Sequence, residues 1–156
     1  MGNKGLEDNL CLRIAREKDM MQFYEWANDE AVRKSAFHSG YISLEEHKQW
    51  FTKMLHDADQ LMFVLLDGNK PIGQVRVSVT GDVGEIDYSI DSGERGRGYG
   101  ERIISLLLEM VIKNFKKIKR LEGKVKPDNF KSQKCFEYNG FKEQYRVYQL
   151  DIQEWE

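Results

Sequence analysis

Residues 85–101, EIDYSIDSGERGRGYGE, constrain the fold more than any other stretch of the chain. Ile86, Tyr88 and Ile90 alternate with Glu85, Asp87 and Ser89, the period of a strand with two unlike faces. The strand gives way to a basic, glycine-dense loop, Arg95-Gly96-Arg97-Gly98-Tyr99-Gly100. An apolar helical pattern starts at once with Ile103, Ile104, Leu107, Leu108, Val111, Ile112 and Phe115. Strand, glycine turn and helix start together make an anion grip. Free backbone N–H groups and the positive end of the helix dipole converge there. Glycine lets the backbone approach the anion without a Cβ in the way. A Walker loop would need Gly-Lys-Ser/Thr after the turn, and none follows. A dinucleotide fingerprint would need G-x-G-x-x-G, a spacing that Gly96, Gly98 and Gly100 do not have. The plain alternative is a turn that holds no ligand.

The rest of the chain must bury this unit. Its 156 residues, 40% of them hydrophobic, suit one domain over residues 10–156 behind a loose polar start at 1–9. A net charge of −2 argues against a broadly basic nucleic-acid binder. Cys11 and Cys135 fit neither a disulfide framework nor a metal site, so no metal is expected. The Met-Gly start has Leu6 where a myristoylation signal needs Ser or Thr. No apolar run reaches signal-peptide or membrane-spanning length. The expectation is a cytoplasmic protein without nucleic-acid or membrane partners.

Along the chain, residues 10–15 read as a strand. Asp19 is placed to cap a helix over 20–28, and 29–42 reads as a helical turn followed by irregular backbone around Ser39-Gly40. Ser43 and Glu46 form a capping-box pattern that opens a helix over 44–56. Strands follow at 61–66 and 72–80, then the central strand, its loop and a helix to about 117. Residues 120–126 alternate as a strand. Asp128 or Asn129 caps a helix to Tyr138 that Asn139-Gly140 ends, and 141–152 read as a last strand. The order predicts an α/β (α+β) protein, one mixed central sheet of about six to seven strands flanked by about four helices.

That order resembles the GNAT N-acetyltransferase fold. Arg95-x-x-Gly98-x-Gly100 resembles the family's Q/R-x-x-G-x-G/A loop, which implies the pyrophosphate of acetyl-CoA as the anion. Asn129-x-x-Ser132 followed by Gly140-Phe141 is similar to the family's second signature. Residues 84–91, GEIDYSID, resemble the fourth strand of the ribosomal-protein-acetyltransferase branch. In the N-terminal half, Asn28-Asp29-Glu30, Val32-Arg33-Lys34, Phe37 and Ile42 to Phe51 look like the N-acetyltransferases that act on UDP-amino-sugars in pseudaminic-acid biosynthesis.

The resemblance implies a role for each site residue. Pantetheine would pair with backbone at Ser89, Ile90 and Asp91. The pyrophosphate would lie on residues 96–100, Gly96 to Gly100 with Arg97 and Tyr99 between, and Arg95 and Arg97 would add charge. Asn129, Ser132 and Phe136 would complete the cofactor side. Glu85 is the expected general base, with Asp87, two residues on along the same face, as its understudy and a substrate contact. Many family members carry a tyrosine where this chain has Phe136, so Tyr138 and solvent stand as alternative proton sources. Arg33, His38, His47 and Trp50 are the expected substrate contacts, for a diphosphate and a base. The acceptor classes left open are a UDP-amino-sugar, a protein N-terminus and an aminoglycoside. A non-catalytic acyl-CoA-binding module is the rival outside enzymology. The terminal strand and Trp155 are the candidate contact of a homodimer.

Overall fold

A computed structural model describes residues 9–155; the readings made on the first eight residues lie outside it. Five strands form one sheet in the order β1-β2-β3-β4-β5: Leu10–Ile14, Gln60–Asp67, Lys70–Thr80, Val83–Ile90 and Arg120–Gly123. The first four are antiparallel to their neighbours, and β5 is parallel to β4. Five α-helices accompany them: α1 Met20–Ala27, α2 Glu30–Ser35, α3 Leu44–Leu55, α4 Tyr99–Asn114 and α5 Phe130–Tyr138.

Strand β2 shows how the sequence builds two layers. Phe63 and Leu65 point to one face, Met62 and Val64 to the other, and all four are buried. The first pair joins Val75, Val77 and Ile86 against Ile103, Ile104 and Leu107 of α4, with Phe136 of α5. The second pair packs against Phe23, Trp26 and Phe51 from α1 and α3. Helices thus cover both faces, and β2, buried between them, is an apolar run rather than an alternating one.

Two expectations are corrected and one is sharpened. Among the described residues the sheet has five strands, not six or seven, because residues 141–151 pair with nothing in it, and all but Phe141 of them stay exposed. Alternating apolar residues favour extended chain, but a strand also needs an edge in register. The helical turn expected within 29–42 is a six-residue helix, α2 at Glu30–Ser35, with Asp29 as its N-cap accepting the Val32 N–H at 3.2 Å. Asp19 makes no side-chain cap to α1. It is buried and receives Arg13 through two bonds, 2.7 and 2.8 Å, and the Arg16 N–H at 2.8 Å.

The Asp19 pair makes a testable contribution. Burial alone would raise the Asp19 pKa, but the bonds from Arg13 and Arg16 outweigh it and hold it below the usual carboxylate value. A depressed folded-state pKa gives stability that is present above the unfolded value and is lost as pH falls through the folded one. Asp19→Asn is therefore expected to cost about 2 kcal/mol at neutral pH. The gap between variant and parent should narrow below about pH 4 in urea titrations across pH.

Candidate active site

The site begins where β4 and β5 part. Their ladder runs from Val83↔Arg120 to Ile86↔Gly123 and stops. Beyond it β4 keeps β3 on one side only, through Asp87↔Arg76, Tyr88↔Val75 and Ser89↔Gln74. Phe136 is the wedge. Its ring packs over Gly123, where any Cβ would collide with it, and stands edge-on to Tyr88 and Phe141. Residues 86–90 therefore present main-chain groups along one wall of a cavity of about 870 Å³. Backbone amides left without a ladder partner fit the amide groups of a pantetheine arm.

The glycine loop closes one end. Gly96 and Gly98 have φ of 81° and 80°, the left-handed region that glycine adopts without strain. Gly100 is needed for a different reason: a Cβ there would lie 2.8 Å from the Cys135 sulfur, where α4 meets α5. Gly96, Gly98, Tyr99 and Gly100 all line the cavity at the N-terminus of the 16-residue α4. Across from them Asn129 caps α5 by accepting the Ser132 N–H at 3.2 Å. Asn129, Lys131, Ser132 and Lys134 line that side. Two helix N-termini and two lysines therefore face the same space, which fits a diphosphate-bearing coenzyme.

The signature arginines do not point there freely. Arg95 donates to Asp29 at 2.6 Å. Arg97 donates to Glu94 at 3.1 Å and is not among the lining residues. Glu94 is buried and also receives Lys70 at 2.7 Å. Asp91 lies off the cavity as well, its carboxylate taken by Trp26 Nε1–H at 2.8 Å and Gly93 N–H at 2.9 Å.

The expected base and its understudy separate. Glu85 and Asp87 share a face of β4, but Glu85 sits where the ladder with β5 is still closed, opposite Glu122. Its carboxylate lies 3.4 Å from Lys124 and is not among the lining residues. Asp87 lies one step beyond the last pair and lines the cavity, 3.8 Å from Arg76. The Arg76 guanidinium rests over Trp50, 4.8 Å from the ring centroid.

The expected substrate contacts divide similarly. Arg33, His47 and Trp50 line the cavity; His38 does not. Arg33 is turned back on its own segment, donating to the carbonyls of Ala27 at 2.6 Å and His38 at 3.0 Å. His47 is 2% exposed, packed among Tyr24, Trp50 and Phe51, and its Nε2 meets the Met20 carbonyl at 2.9 Å. Burial lowers its pKa, so the ring is a neutral Nε2–H donor and brings no charge to a diphosphate.

Tyr138 is 66% exposed and lies outside the cavity lining. Two tyrosines line it, Tyr99 at the start of α4 and Tyr88, which stands on the α5 side of β4 and donates to Ser132 Oγ at 3.0 Å. Burial pushes its pKa up, only partly offset by the Ser132 bond, so the phenol stays protonated. The sequence carried a hint of this, since Tyr88 alternates onto the face that Phe136 also occupies. Gln74, also missed, lines the cavity and donates Nε2–H to Ser89 Oγ at 3.1 Å. Its Oε1 is buried without a hydrogen-bond partner among the described residues.

Comparison with known proteins agrees with this geometry. The chain is 22% identical over 153 residues to the aminoglycoside N(6')-acetyltransferase type 1 of Klebsiella pneumoniae, and equally to that of Serratia marcescens, spanning 88% of this chain and 76% of each relative. Among solved structures it resembles the spermidine N-acetyltransferase of Vibrio cholerae complexed with CoA and spermine. The TM-score is 0.81 at 22% identity, over 89% of this chain and 84% of the other. It also resembles AAC(6')-Ib complexed with ribostamycin and coenzyme A, at a TM-score of 0.80 and 20% identity over 90% and 87% of the two chains. Residues 9–142 match the acetyltransferase (GNAT) domain model; the chain belongs to that family and is an acetyl-CoA-dependent N-acetyltransferase.

Proposed function

We propose that the acceptor is the amine of an amino sugar whose remainder is neutral or anionic, a nucleotide-linked amino sugar above all, and that Asp87 receives the amine's proton. The observation that carries the acceptor reading is the balance of charge on the acceptor side. There Arg33 and Arg76 match Glu46 and Asp87, and Arg76 covers Trp50. A polycation would meet as much repulsion as attraction in such a place. The pseudaminic-acid resemblance lends less support than its length suggests. Asn28, Asp29, Arg33 and His47 all have partners within the protein, so their presence is accounted for without a substrate.

The chemistry follows from the side chains. Acetyl-CoA would supply the thioester carbon for the amine's attack and a thiolate leaving group, which takes its proton from solvent. Asp87 stands on the open part of β4, on the side of α1 and α3, and holds an ammonium before taking its proton directly or through water. Gln74, on the same face, holds Ser89 through its amide N–H and so helps fix the strand from which Asp87 projects. Tyr88 stands on the opposite face, toward α5, and its one O–H, now given to Ser132 Oγ, would turn from that partner to meet a departing sulfur. Its raised pKa suits it to donate a hydrogen bond rather than to surrender the proton.

A polycationic amine is the second reading, favoured by the sequence relatives, which are aminoglycoside acetyltransferases. Thiol release measured with UDP-4-amino-sugars, ribostamycin and spermidine separates the two. The expected result is a kcat/KM for a UDP-amino-sugar at least about a hundredfold above the polycations, a gap of roughly 2.7 kcal/mol. Efficient turnover of ribostamycin or spermidine with none of the UDP-sugars would overturn the assignment.

A further inference from the structure

We propose that Trp26, at the end of α1, and Asp29 are positioning residues that tie the acceptor-side strap, residues 27–42, to the coenzyme loop, so that coenzyme A held on the loop fixes the strap. Near its end the strap also meets α1, where the Tyr41 hydroxyl is hydrogen-bonded to that of Tyr24. The strap's own helix, α2, contains no buried residue, so packing does not set its place. Polar ties do.

Within the strap, Asn28 exchanges two bonds with the Ile42 backbone, both 2.8 Å, and Arg33 binds the carbonyls of Ala27 and His38. These make residues 27–42 one closed unit. Two ties then cross to the two ends of a single turn on the coenzyme loop. Trp26, itself buried, donates to Asp91, whose other oxygen holds Gly93. Asp29 Oδ1 receives Arg95 while also capping α2 at Val32. One carboxylate oxygen thus serves the signature arginine and the start of the strap helix together. On the far side of the cavity Lys126 donates to the Lys34 carbonyl at 3.0 Å. The strap therefore reaches from the coenzyme loop to the segment that follows β5.

The coupling is reciprocal by thermodynamic necessity: what immobilises the loop immobilises the strap, and the reverse. It accounts for the Trp26-x-Asn28-Asp29 stretch without reference to any particular acceptor, and does not depend on the acceptor class proposed above.

Hydrogen exchange of the amides in 30–42, with and without saturating coenzyme A, tests it. The parent protein is expected to slow by about tenfold when coenzyme A binds. Asp29→Ser keeps a good N-cap but removes the carboxylate from Arg95. It is expected to bind coenzyme A within about threefold of the parent and to lose most of the slowing. Arg95→Gln breaks the same tie with the α2 cap intact, and at saturating coenzyme A gives the same loss. Trp26→Phe, which keeps the ring and deletes the N–H, loses part of it. Full slowing retained in Asp29→Ser overturns the proposal, because direct contact of coenzyme A with the strap would then suffice. So does an absence of slowing in the parent, or abolished coenzyme binding in Asp29→Ser.

Discussion

Asp87→Asn is expected to lower kcat/KM for acetyl transfer by about 10²–10⁴, the usual range for loss of a positioned general base. The asparagine fills the same space and still faces Arg76 but cannot take the proton. Asp87 is exposed and belongs to no buried network, so folding stability should stay within about 0.5 kcal/mol. Coenzyme A binding, read by titration calorimetry, should be unchanged. Glu85→Gln is the matched control. Glu85 lies against Lys124 on the closed part of the ladder, and its loss is expected to change the rate by no more than about threefold. If Glu85→Gln proves as damaging as Asp87→Asn, the base is not at the open end of β4.

The second large effect is expected at Phe136, in stability rather than rate. Phe136→Ala removes a buried ring that touches Tyr88, Phe141 and the face of Gly123. The expected cost is about 3–5 kcal/mol in denaturant unfolding. A purely structural role would end there. As the wedge of the cleft, Phe136 also determines how far β5 stands from the open part of β4. Coenzyme A affinity should therefore fall by at least about tenfold in the fraction that remains folded. Phe136→Tyr keeps the wedge and should preserve both properties. An alanine variant that is destabilised but binds coenzyme A normally would show that the cleft is held open by something else.

Much of this was legible in the residues. The strand–glycine–helix unit is local: alternation, two left-handed glycines and an apolar helical stripe all lie within one stretch of chain. The Asn129 cap is local too, and Asn129-x-x-Ser132 means in physical terms that a side-chain oxygen answers an N–H three residues on. The choice between Glu85 and Asp87 could not be read that way. Both have the same parity on β4, and only the register with β5, set by Phe136 meeting Gly123 from a distant helix, tells which lies past the last pair. The same holds for Arg33 and His47, residue types suited to a ligand that the fold instead directs to main-chain carbonyls. In 141–152 the alternation was real, but no strand edge was there to meet it. For α2 the sequence showed a helical turn but not its bounds: Asp29 followed by Glu30 is an ordinary helix start, and the helix is too short for an apolar period to mark its extent.

The pairing of Arg95 with Asp29 and of Arg97 with Glu94 has a consequence for how the enzyme selects among the many phosphates of a cell. A loop with two bare arginines would attract every polyanion, from inorganic phosphate to nucleotides, and would do so most strongly at low salt. With both charges answered by carboxylates, what remains is a curved row of N–H groups at two helix ends and the charges of Lys131 and Lys134. Such a surface distinguishes anions by outline as well as by charge. It rewards the ligand that also fills the long cleft beside β4, and its affinity should fall less steeply with ionic strength than if the two arginines were bare as well.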